Sequence, residues 1–568
     1  MQSVKRLISE RGRASFDRLD AAAAEPGAIQ RKVLNRLIRK NEDTAFGRRY
    51  GFANVRNELD YRRQVPIQDF EGFRPYVNRI MSGEERVLTS AEPLMLNQTS
   101  GTTGEPKYIP VTQESLSQGS ELMLQWLYLA WRDHPALLNH AFVGIVSRAV
   151  EGHTGGGLPF GSASGLIYNE MPEAVHSSYA IPCGVLELRD YELRSFILAR
   201  LALGCRVSLI STPNPSTHLR LAETLSERGE ELIRAIRDGK TGVESAEQPE
   251  ALNRLEAELK PDLQRAEFLS RILAKTGGLR PVDCWPDLAL LGSWLGGSVG
   301  IQARKLVSCY GDVPIRDLGY LASEGHFTVP FQDRTPAGIL ALHSNYYEFI
   351  PEDRTGDSEP PVLSGHELEE GRRYGIILTT TSGLYRYNIN DIVEVQGFYR
   401  AAPLLAFIGK GSDVTSITGE KLHVNHILQA FDEVRQQYNL SLVEQFRIVP
   451  DYEEGRYDIF VELNSDVSHD LLREDVLPAL DRALSAANVE YEQKRSSRRL
   501  HPPRLHLMRR GWAKSEIRRS ATTGKREAQY KWPILHPERL PEDTRAVICT
   551  IESPGMESIK VKAEQKNE

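Results

Sequence analysis

The sequence predicts an α/β fold in which a large N-terminal domain, residues 1–411, precedes a smaller α+β domain, residues 412–568. Strand-like and helical segments alternate between Leu94 and Phe407, and this alternation is typical of α/β architecture. The pattern changes after a glycine-rich stretch at Gly409 to Asp413. A chain of 568 residues is also longer than one ordinary domain core. These three observations favour a two-part molecule.

Each element of this prediction follows from a local pattern. Apolar residues at helical spacing predict an amphipathic helical layer over residues 1 to about 60. A stretch rich in Glu, Arg, Leu and Ala, residues 217–275, predicts helices beside the sheet, with a break around Gly239 to Pro249. The predicted strands of the large domain are Ala141 to Val146, Arg206 to Ile210, Leu288 to Leu291 and Tyr374 to Thr381. The predicted elements of the small domain are a helix from Val424 to Tyr438, strands at Phe446 to Val449 and Tyr457 to Leu463, and a helix from His469 to Ala487.

Composition argues against several classes of function. The chain carries 70 basic and 77 acidic residues, a formal charge of −7, and the two signs are interspersed. We therefore expect no nucleic-acid partner and no membrane surface. The basic run Lys494 to Arg499 has only Trp512 nearby to stack a base, and we interpret it as an exposed basic face. Five cysteines without a C-x-x-C pair predict a reducing compartment, and the charged N-terminal sequence predicts a cytoplasmic protein.

The most specific motif is the stretch from Thr99 to Lys107, which reads T-S-G-T-T-G-E-P-K and runs into a strand-like segment. Glycines let backbone N–H groups close on an anion, hydroxyl groups donate further hydrogen bonds, and lysine adds a positive charge. The spacing of its glycines and lysine differs from that of a Walker loop, G-x-x-x-x-G-K-[ST]. An ordinary connecting loop can have the same composition, which is the alternative interpretation. We predict a loop that binds the phosphates of a nucleotide through Ser100, Gly101, Thr102, Thr103, Gly104 and Lys107.

Three further motifs follow in order along the chain. In Tyr320 to Gly325, an aromatic ring and small residues suit an adenine base, and Glu324 is the candidate ligand for Mg²⁺. The run from Tyr385 to Asp391 ends in an acid that suits the ribose hydroxyl groups. The third motif is the glycine-rich segment from Gly409 to Lys421. Taken singly, the first two also fit an ordinary turn and an ordinary strand.

In this order the motifs resemble those of the adenylate-forming superfamily of acyl-CoA synthetases, luciferases and peptide-synthetase adenylation domains. That superfamily carries T-S-G-T-T-G-x-P-K, then Y-G-x-T-E, then a ribose motif ending in G-D. The chain more closely resembles a bacterial-type homologue of the auxin-responsive acyl-acid amido synthetases, which carry Y-A-S-S-E and Y-R-Y-R-x-G-D. Gly397 to Tyr399 and Gln529 to Lys531 match their later G-F-Y and Q-Y-K. The departures are Leu321, Asn388 and Asn390, the last a mild one because asparagine tolerates left-handed backbone geometry.

The resemblance implies an adenylate-forming fold whose small C-terminal domain rotates about a hinge near Ser412 and Asp413. It also implies two half-reactions that use ATP and Mg²⁺. A carboxylic acid attacks the α-phosphate to give acyl-AMP and pyrophosphate, and an amine, expected to be an amino acid, then forms an amide.

The resemblance also implies roles for individual residues. Besides the phosphate loop, the expected nucleotide-binding residues are Gly296, Gly297, Tyr320, Ala322, Ser323, Glu324, Asp391 and Lys410. Lys410 stands where relatives carry arginine. Glu324 is expected to act through Mg²⁺ on the leaving pyrophosphate. Three lysines of the small domain, Lys421, Lys525 and Lys531, could be the mobile catalytic lysine that meets the acyl phosphate, and Lys421 and Lys531 are the favoured candidates.

Alternatives to the amide ligase remain open at this point. The same acyl-adenylate also supports a thioester ligase that uses CoA or a carrier protein. Gly296 to Gly300 fits G-x-S-x-G, which would make Ser298 a hydrolase nucleophile but leaves the phosphate loop unexplained. A non-catalytic nucleotide-binding relative is disfavoured because the phosphate lysine and both acids are present. The acid, the amine and the oligomeric state stay open, and we expect the acyl pocket to draw on residues from Gln118 to Tyr179, with Arg148, His153 and His176 as candidate carboxylate contacts.

Overall fold

A computed structural model of the chain describes residues 2–99, 106–145, 148–169, 171, 173–186, 188, 190–244, 248–296, 300–411, 414–438, 443–463, 467–513, 515–516 and 534–553. These residues form two compact units. The N-terminal unit comprises the described residues up to Gly411, and the C-terminal unit comprises those from Val414 onward.

The chain begins with the helical layer that its apolar spacing predicts. In the fourth segment of this layer Leu34, Leu37 and Ile38 form a buried stripe. The helical segments are Gln2–Leu7, Ile8–Gly12 (π), Arg13–Ala24, Pro26–Lys40, Ala45–Arg49, Phe52–Asn54 (3₁₀), Glu58–Gln64 and Phe70–Met81. Among the described residues, no helix is long and apolar enough to cross a membrane.

A four-stranded parallel sheet confirms three of the predicted strands. In pairing order its strands are Ala141–Gly144, Val207–Ser211, Leu290–Gly292 and Ile315–Arg316. Parallel strands require crossover connections, and helices supply them here. The helices before and between these strands are Gln113–Asp133, Pro135–Leu138 (3₁₀), Ala163–Asn169, Glu173–His176, Cys183–Leu186, Tyr191–Leu203, Pro215–Glu227, Gly229–Asp238, Pro249–Glu258, Leu263–Thr276, Pro281–Cys284 and Gly300–Tyr310. The carboxyl ends of the strands meet at one edge, where α/β folds bind ligands.

A second, mixed sheet contains the hairpin that flanks the predicted phosphate loop. Its strands pair in the order Lys107–Val111, Met95–Thr99, Pro159–Gly161 and Val150–His153. The first two are antiparallel, with Thr99 opposite Lys107. The strand predicted to follow the loop is therefore confirmed, while residues 100–105 of the loop lie outside the described residues.

A seven-stranded antiparallel sheet completes the N-terminal unit. In pairing order its strands are Thr328–Val329, Gly338–Leu340, Ala402–Lys410, Tyr387–Tyr399, Arg373–Thr379, Tyr346–Pro351 and Leu363–Ser364. Short 3₁₀ turns occur at Glu352–Arg354 and Gly365–Glu367, and a separate hairpin pairs Leu321–Ala322 with Gly325–His326. Only one strand of the large sheet, Arg373–Thr379, was among the predicted strands.

The C-terminal unit is an α+β structure built on a four-stranded sheet. In pairing order the strands are Val443–Asp451, Arg456–Leu463, Arg504–Met508 and Val547–Glu552. A hairpin of Val414–Thr415 and Leu422–His423 precedes the sheet. The helical segments are Val424–Gln437, His469–Leu471, Leu472–Val476 (π), Leu477–Ala487, Val489–Ser496 and Pro541–Ala546. The single helix predicted over His469 to Ala487 is thus three consecutive helical segments.

The interpretation of Lys494 to Arg499 as an exposed basic face is wrong for Arg495. Its guanidinium forms an ion pair with Asp481, with N–O distances down to 2.6 Å, and donates a hydrogen bond of 2.7 Å to the Leu500 carbonyl. Arg495 is therefore partly buried and joins two helices to the turn that follows them.

Glu348 ties the N-terminal helical layer to the large antiparallel sheet. This residue is 1% exposed, and its two carboxylate oxygens accept hydrogen bonds of 2.9 Å from Arg62 and Arg386. Arg386 also donates to the backbone carbonyls of Arg62 and Val65. The Arg386 guanidinium thus has all of these partners inside the protein, and we assign the residue a structural role in the N-terminal unit.

We predict that Glu348→Gln lowers the free energy of unfolding of the N-terminal unit by about 3–5 kcal/mol, because it leaves the buried Arg386 without its counter-ion. Chemical denaturation followed by fluorescence measures the change. Glu84→Gln, which breaks an exposed pair with Arg79, is the control and should unfold at the wild-type midpoint. Equal midpoints for wild type and Glu348→Gln would contradict the prediction.

Candidate active site

The hairpin that flanks the predicted phosphate loop is bonded to the predicted adenine motif. Asn97, in the strand that leads into the loop, donates a hydrogen bond of 3.0 Å from Nδ2 to the carbonyl of Ser323. The Asn97 Oδ1 atom accepts from the backbone N–H of Ala163 at 3.3 Å, which fixes the amide orientation. The first two motifs, more than two hundred residues apart in sequence, therefore lie side by side.

Glu324 is held by a tyrosine of the ribose motif. The hydroxyl of Tyr387 donates to Glu324 Oε1 at 3.0 Å, and the two side chains are 1% and 7% exposed. Burial, reinforced by the charge of Glu324, raises the pKa of Tyr387 well above its ordinary value. The phenol therefore stays protonated at neutral pH and acts as a donor that orients the carboxylate.

A second tyrosine–carboxylate pair lies beside the first. Tyr320 donates from its hydroxyl to Asp391 Oδ2 at 2.5 Å. Burial and the charge of Asp391 raise the pKa of Tyr320 well above its ordinary value. The other oxygen of Asp391 forms an ion pair with Lys410, which also donates to the Ile389 carbonyl at 3.3 Å. Lys410, which stands where relatives carry arginine, thus contacts the predicted ribose acid.

Asn390 and Asn388 show how the departures from the family motif are accommodated. Asn390 has a φ of +59°, so asparagine adopts the left-handed conformation that glycine adopts freely, as predicted. The Asn388 side chain accepts a hydrogen bond of 2.9 Å from the Asn390 backbone N–H. The two asparagines therefore form a local turn that leads directly to Asp391.

Gly296 packs against the strand Ala402–Lys410. A Cβ atom at Gly296 would lie 2.8 Å from the backbone oxygen of Phe407, too close for any side chain. The ring of Phe407 in turn stacks on Tyr320, with centroids 5.6 Å apart and an angle of 25° between the rings. Gly296 and Tyr320, which were predicted to bind the same base, thus both contact Phe407, and only glycine fits at position 296.

Sequence reasoning missed Asp317, which bonds the backbone next to Gly296 and Tyr320. Its carboxylate accepts hydrogen bonds of 2.6 Å from the backbone N–H groups of Leu295 and Gly319. Burial raises the pKa of Asp317 to about 7, although these backbone donors favour the ionised form. The only sequence signal was an acid three residues before Tyr320, and the strand that this acid follows, Ile315–Arg316, was not among the predicted strands.

The other predicted residues fall into three groups. Lys107 is placed at the start of its strand, with its ammonium group 5.7 Å from the centroid of the Phe70 ring. Ala322 belongs to the short hairpin that contains Gly325. The predicted residues that lie outside the described residues are Ser100, Gly101, Thr102, Thr103, Gly104, Gly297, Ser298, Ser412, Asp413 and Lys531.

Lys421 belongs to the C-terminal unit, in the turn of its first hairpin. The preceding residue, Glu420, is fully buried and accepts hydrogen bonds from the Tyr457 hydroxyl and from two backbone N–H groups of the turn. The Lys421 backbone N–H donates to Glu490 at 3.1 Å, and its side chain is 32% exposed. Hydrogen bonds thus hold the turn in place, and the Lys421 ammonium group lies 4.0 Å from a carboxylate oxygen of Glu490.

The sequence matches three models of one protein family. The GH3 family N-terminal domain matches residues 15–315, the central domain residues 338–410 and the C-terminal domain residues 425–539. The chain belongs to the GH3 family.

Named relatives of this GH3 chain are plant amido synthetases. It is 24% identical over 541 residues to the jasmonoyl–L-amino acid synthetase JAR4 of Nicotiana attenuata, covering 91% of this chain and 92% of the relative. It is also 24% identical over 546 residues to the indole-3-acetic acid-amido synthetase GH3.4 of Arabidopsis thaliana, covering 91% of this chain and 90% of the relative. The solved structure of AtGH3.15 acyl acid amido synthetase in complex with 2,4-DB matches with a TM-score of 0.65 and 21% identity, over 96% of this chain and 98% of that one. The predicted family and the predicted adenylate-forming fold are confirmed.

The three residues predicted to contact the acyl carboxylate of this GH3 protein have different surroundings. His176 packs edge-on against Tyr168, with centroids 5.2 Å apart, and Tyr168 in turn packs against Tyr179 at 5.1 Å. His153 ends an exposed strand of the mixed sheet. The Arg148 backbone carbonyl accepts a hydrogen bond from the N–H of Ser162 in the segment that follows that sheet. His176 is thus part of an aromatic cluster, and a carboxylate contact for any of the three stays a prediction.

We predict that Asp317 makes the stability of this GH3 protein fall as the pH rises. Because the folded-state pKa is raised from 3.8 to about 7, the folded protein binds more protons than the unfolded chain between these values. This group alone should lower the free energy of unfolding by about 2 kcal/mol between pH 5 and pH 7. Denaturation with urea at several pH values compares wild type with Asp317→Asn, which lacks the titrating group. The same pH dependence in both proteins would show that Asp317 stays ionised throughout.

Proposed function

We propose that the protein uses ATP and Mg²⁺ to activate a carboxylic acid as acyl-AMP and then transfers the acyl group to an amino acid, forming an amide. The observation that carries this proposal is the convergence of three separate motifs. Asn97 bonds Ser323, Tyr387 bonds Glu324, and Tyr320 bonds Asp391. The relatives named as amido synthetases support the amide product. We assign the nucleotide and acyl sites to residues 1–411 and the mobile cap to residues 412–568.

Glu324 fits the way in which proteins usually bind Mg²⁺ together with a nucleotide. Among the residues that the structure describes, no group of three or more His, Cys, Asp or Glu could hold a metal ion. Mg²⁺ is usually held by one or two carboxylates and by the phosphates of its substrate, with water completing the shell. A single carboxylate, oriented by Tyr387, is consistent with that mode. The ion, when bound, supplies positive charge close to the phosphates.

The remaining nucleotide contacts follow from residue chemistry. Lys107 and the hydroxyl groups of Ser100, Thr102 and Thr103 hold the β- and γ-phosphates. Asp391 accepts from the ribose hydroxyl groups. Each carboxylate oxygen has about two acceptor sites, so Asp391 retains capacity beyond its bonds to Tyr320 and Lys410.

The first half-reaction is a displacement at phosphorus. An oxygen of the substrate carboxylate attacks the α-phosphorus, and the bond to the pyrophosphate oxygen breaks. Negative charge grows on the leaving pyrophosphate, where Lys107 and the residues of the phosphate loop stabilise it. The protein contributes positioning and electrostatics, since no covalent bond to the enzyme is required.

The second half-reaction is attack of the amine on the acyl carbon, with departure of AMP and loss of a proton from the nitrogen. Lys421 and Lys531 are the candidates to stabilise the acyl phosphate during these steps. A thioester ligase would share the first half-reaction and differ only in the acceptor. The match over nine-tenths of the length of amido synthetases favours the amine.

We predict that the protein exchanges labelled pyrophosphate into ATP when a suitable carboxylic acid is present, because formation of acyl-AMP is reversible. Glu324→Gln should lower the exchange rate by about 100-fold or more, as loss of one electrostatic group in an active site commonly does. Glu352→Gln, the same substitution at an exposed position of the same unit, is the matched control. Absence of exchange across a broad panel of aromatic and aliphatic acids, with Glu324→Gln no different, would refute the adenylation step.

We further predict that amino acids, and not CoA, increase the release of AMP once an active acid is known. Coupled measurement of AMP, with mass spectrometry of the product, separates an amide from a thioester. AMP release that responds only to CoA would replace the amide assignment and leave the adenylation step intact.

A further inference from the structure

Asp317 connects the two segments of backbone that contain Gly296 and Tyr320. It directly follows the last strand of the parallel sheet, Ile315–Arg316, and is 3% exposed. Its Oδ2 atom accepts from the N–H of Leu295 and its Oδ1 atom accepts from the N–H of Gly319, both at 2.6 Å. One buried carboxylate therefore holds the residue before Gly296 and the residue before Tyr320 at the same time.

Two tryptophans fix the backbone around this carboxylate. Trp126, in the long helix Gln113–Asp133, donates from its indole N–H to the Asp317 carbonyl at 2.7 Å. Trp294 donates to the Gly319 carbonyl at 3.1 Å. Trp294 directly precedes Leu295, so the Gly296 segment and the Tyr320 segment are linked to each other twice, once through Asp317 and once through this indole.

The linked segments have little freedom to adjust. A Cβ atom at Gly319, whose φ is +93°, would lie 2.3 Å from the Thr328 carbonyl oxygen, and one at Gly296 would lie 2.8 Å from that of Phe407. The backbone N–H of Tyr320 donates to the Thr328 hydroxyl at 2.8 Å. Loss of a hydrogen bond to Asp317 should therefore shift Gly296 relative to Tyr320.

We propose that Asp317 is a positioning residue for the nucleotide base: its carboxylate sets the position of the Gly296 segment relative to Tyr320, and so shapes the pocket that receives adenine, without contacting the base itself. The inference rests on the proposed function, which assigns Gly296 and Tyr320 to the nucleotide. It assigns a role to a residue outside every motif that identified the site.

The chemistry of the side chain explains why only an acid suffices. A carboxylate presents an acceptor to each of two N–H donors, whereas an asparagine presents one oxygen and one NH₂ group. In Asp317→Asn one backbone N–H therefore faces a donor and loses its partner. A buried N–H that loses its acceptor weakens the dependent step by about tenfold or more.

The test compares Asp317→Asn with Asp333→Asn in the full-length protein. Asp333 accepts from Arg316 Nε at 2.7 Å and contacts His134, so its substitution loosens the same strand without touching the N–H groups of Leu295 and Gly319. Calorimetry measures the Kd for ATP, steady-state kinetics the KM for ATP and for the acid, and thermal denaturation the unfolding midpoint.

We expect Asp317→Asn to raise the Kd and KM for ATP by about tenfold or more, with the KM for the acid changed by less than about twofold. Asp333→Asn should keep both ATP constants within about twofold of wild type, whatever its midpoint. Trp294→Phe removes only the hydrogen bond from the indole to the Gly319 carbonyl, so we expect it to fold and to raise the Kd for ATP by a smaller factor. This variant keeps the inference testable if Asp317→Asn does not fold.

Two results would overturn the inference alone. The first is wild-type affinity for ATP in Asp317→Asn, or in Trp294→Phe if Asp317→Asn does not fold. The second is that Asp317→Asn and Asp333→Asn weaken the binding of ATP and of the acid to the same extent. A wild-type protein that binds no ATP would instead overturn the proposed function, and the inference with it. The two failures are thus distinguishable from the behaviour of the wild-type protein.

Discussion

A buried carboxylate requires partners, because transfer of an unpaired charge out of water costs several kcal/mol, and this requirement organises the N-terminal unit. Four acids illustrate it. Glu348 is paired with two arginines, Glu324 with a tyrosine, Asp391 with a tyrosine and a lysine, and Asp317 with backbone N–H groups. Most of these pairings join residues from separate segments of the chain, so the need for partners also specifies which elements lie together.

The type of partner separates architecture from function. Glu348 has an arginine on each of its two oxygens, and both arginines belong to the framework of the unit. A tyrosine hydroxyl donates to one oxygen of Glu324 and brings no opposite charge, which leaves the second oxygen for a cation beside a triphosphate. Asp317 differs again, because its two oxygens accept hydrogen bonds from two separate backbone segments. Three buried acids of similar exposure therefore serve three purposes, and the partner distinguishes them.

Much of the fold and of the candidate site could be predicted from local sequence patterns. Apolar spacing predicted the N-terminal helices, and alternation predicted three of the four parallel strands. The glycines and hydroxyl groups between Thr99 and Lys107 indicated a phosphate loop, and the flanking strand is confirmed. Several strands of the antiparallel sheet escaped prediction because they are only two residues long, as Thr328–Val329 and Leu363–Ser364 are, and so short a segment shows no repeating pattern.

The sequence by itself determined the family, the order of the motifs and the chemical groups available to a nucleotide, because these depend on residue type and spacing. Only the tertiary structure decided which group meets which. Tyr385 and Tyr387 are equally buried and two residues apart, yet the hydroxyl of Tyr385 bonds the Leu88 carbonyl and that of Tyr387 bonds Glu324. Their partners come from segments of chain brought together by folding, and no local pattern records them. For the same reason Asp317, an unremarked acid in the sequence, becomes in the folded protein the residue that links both sides of the predicted adenine pocket.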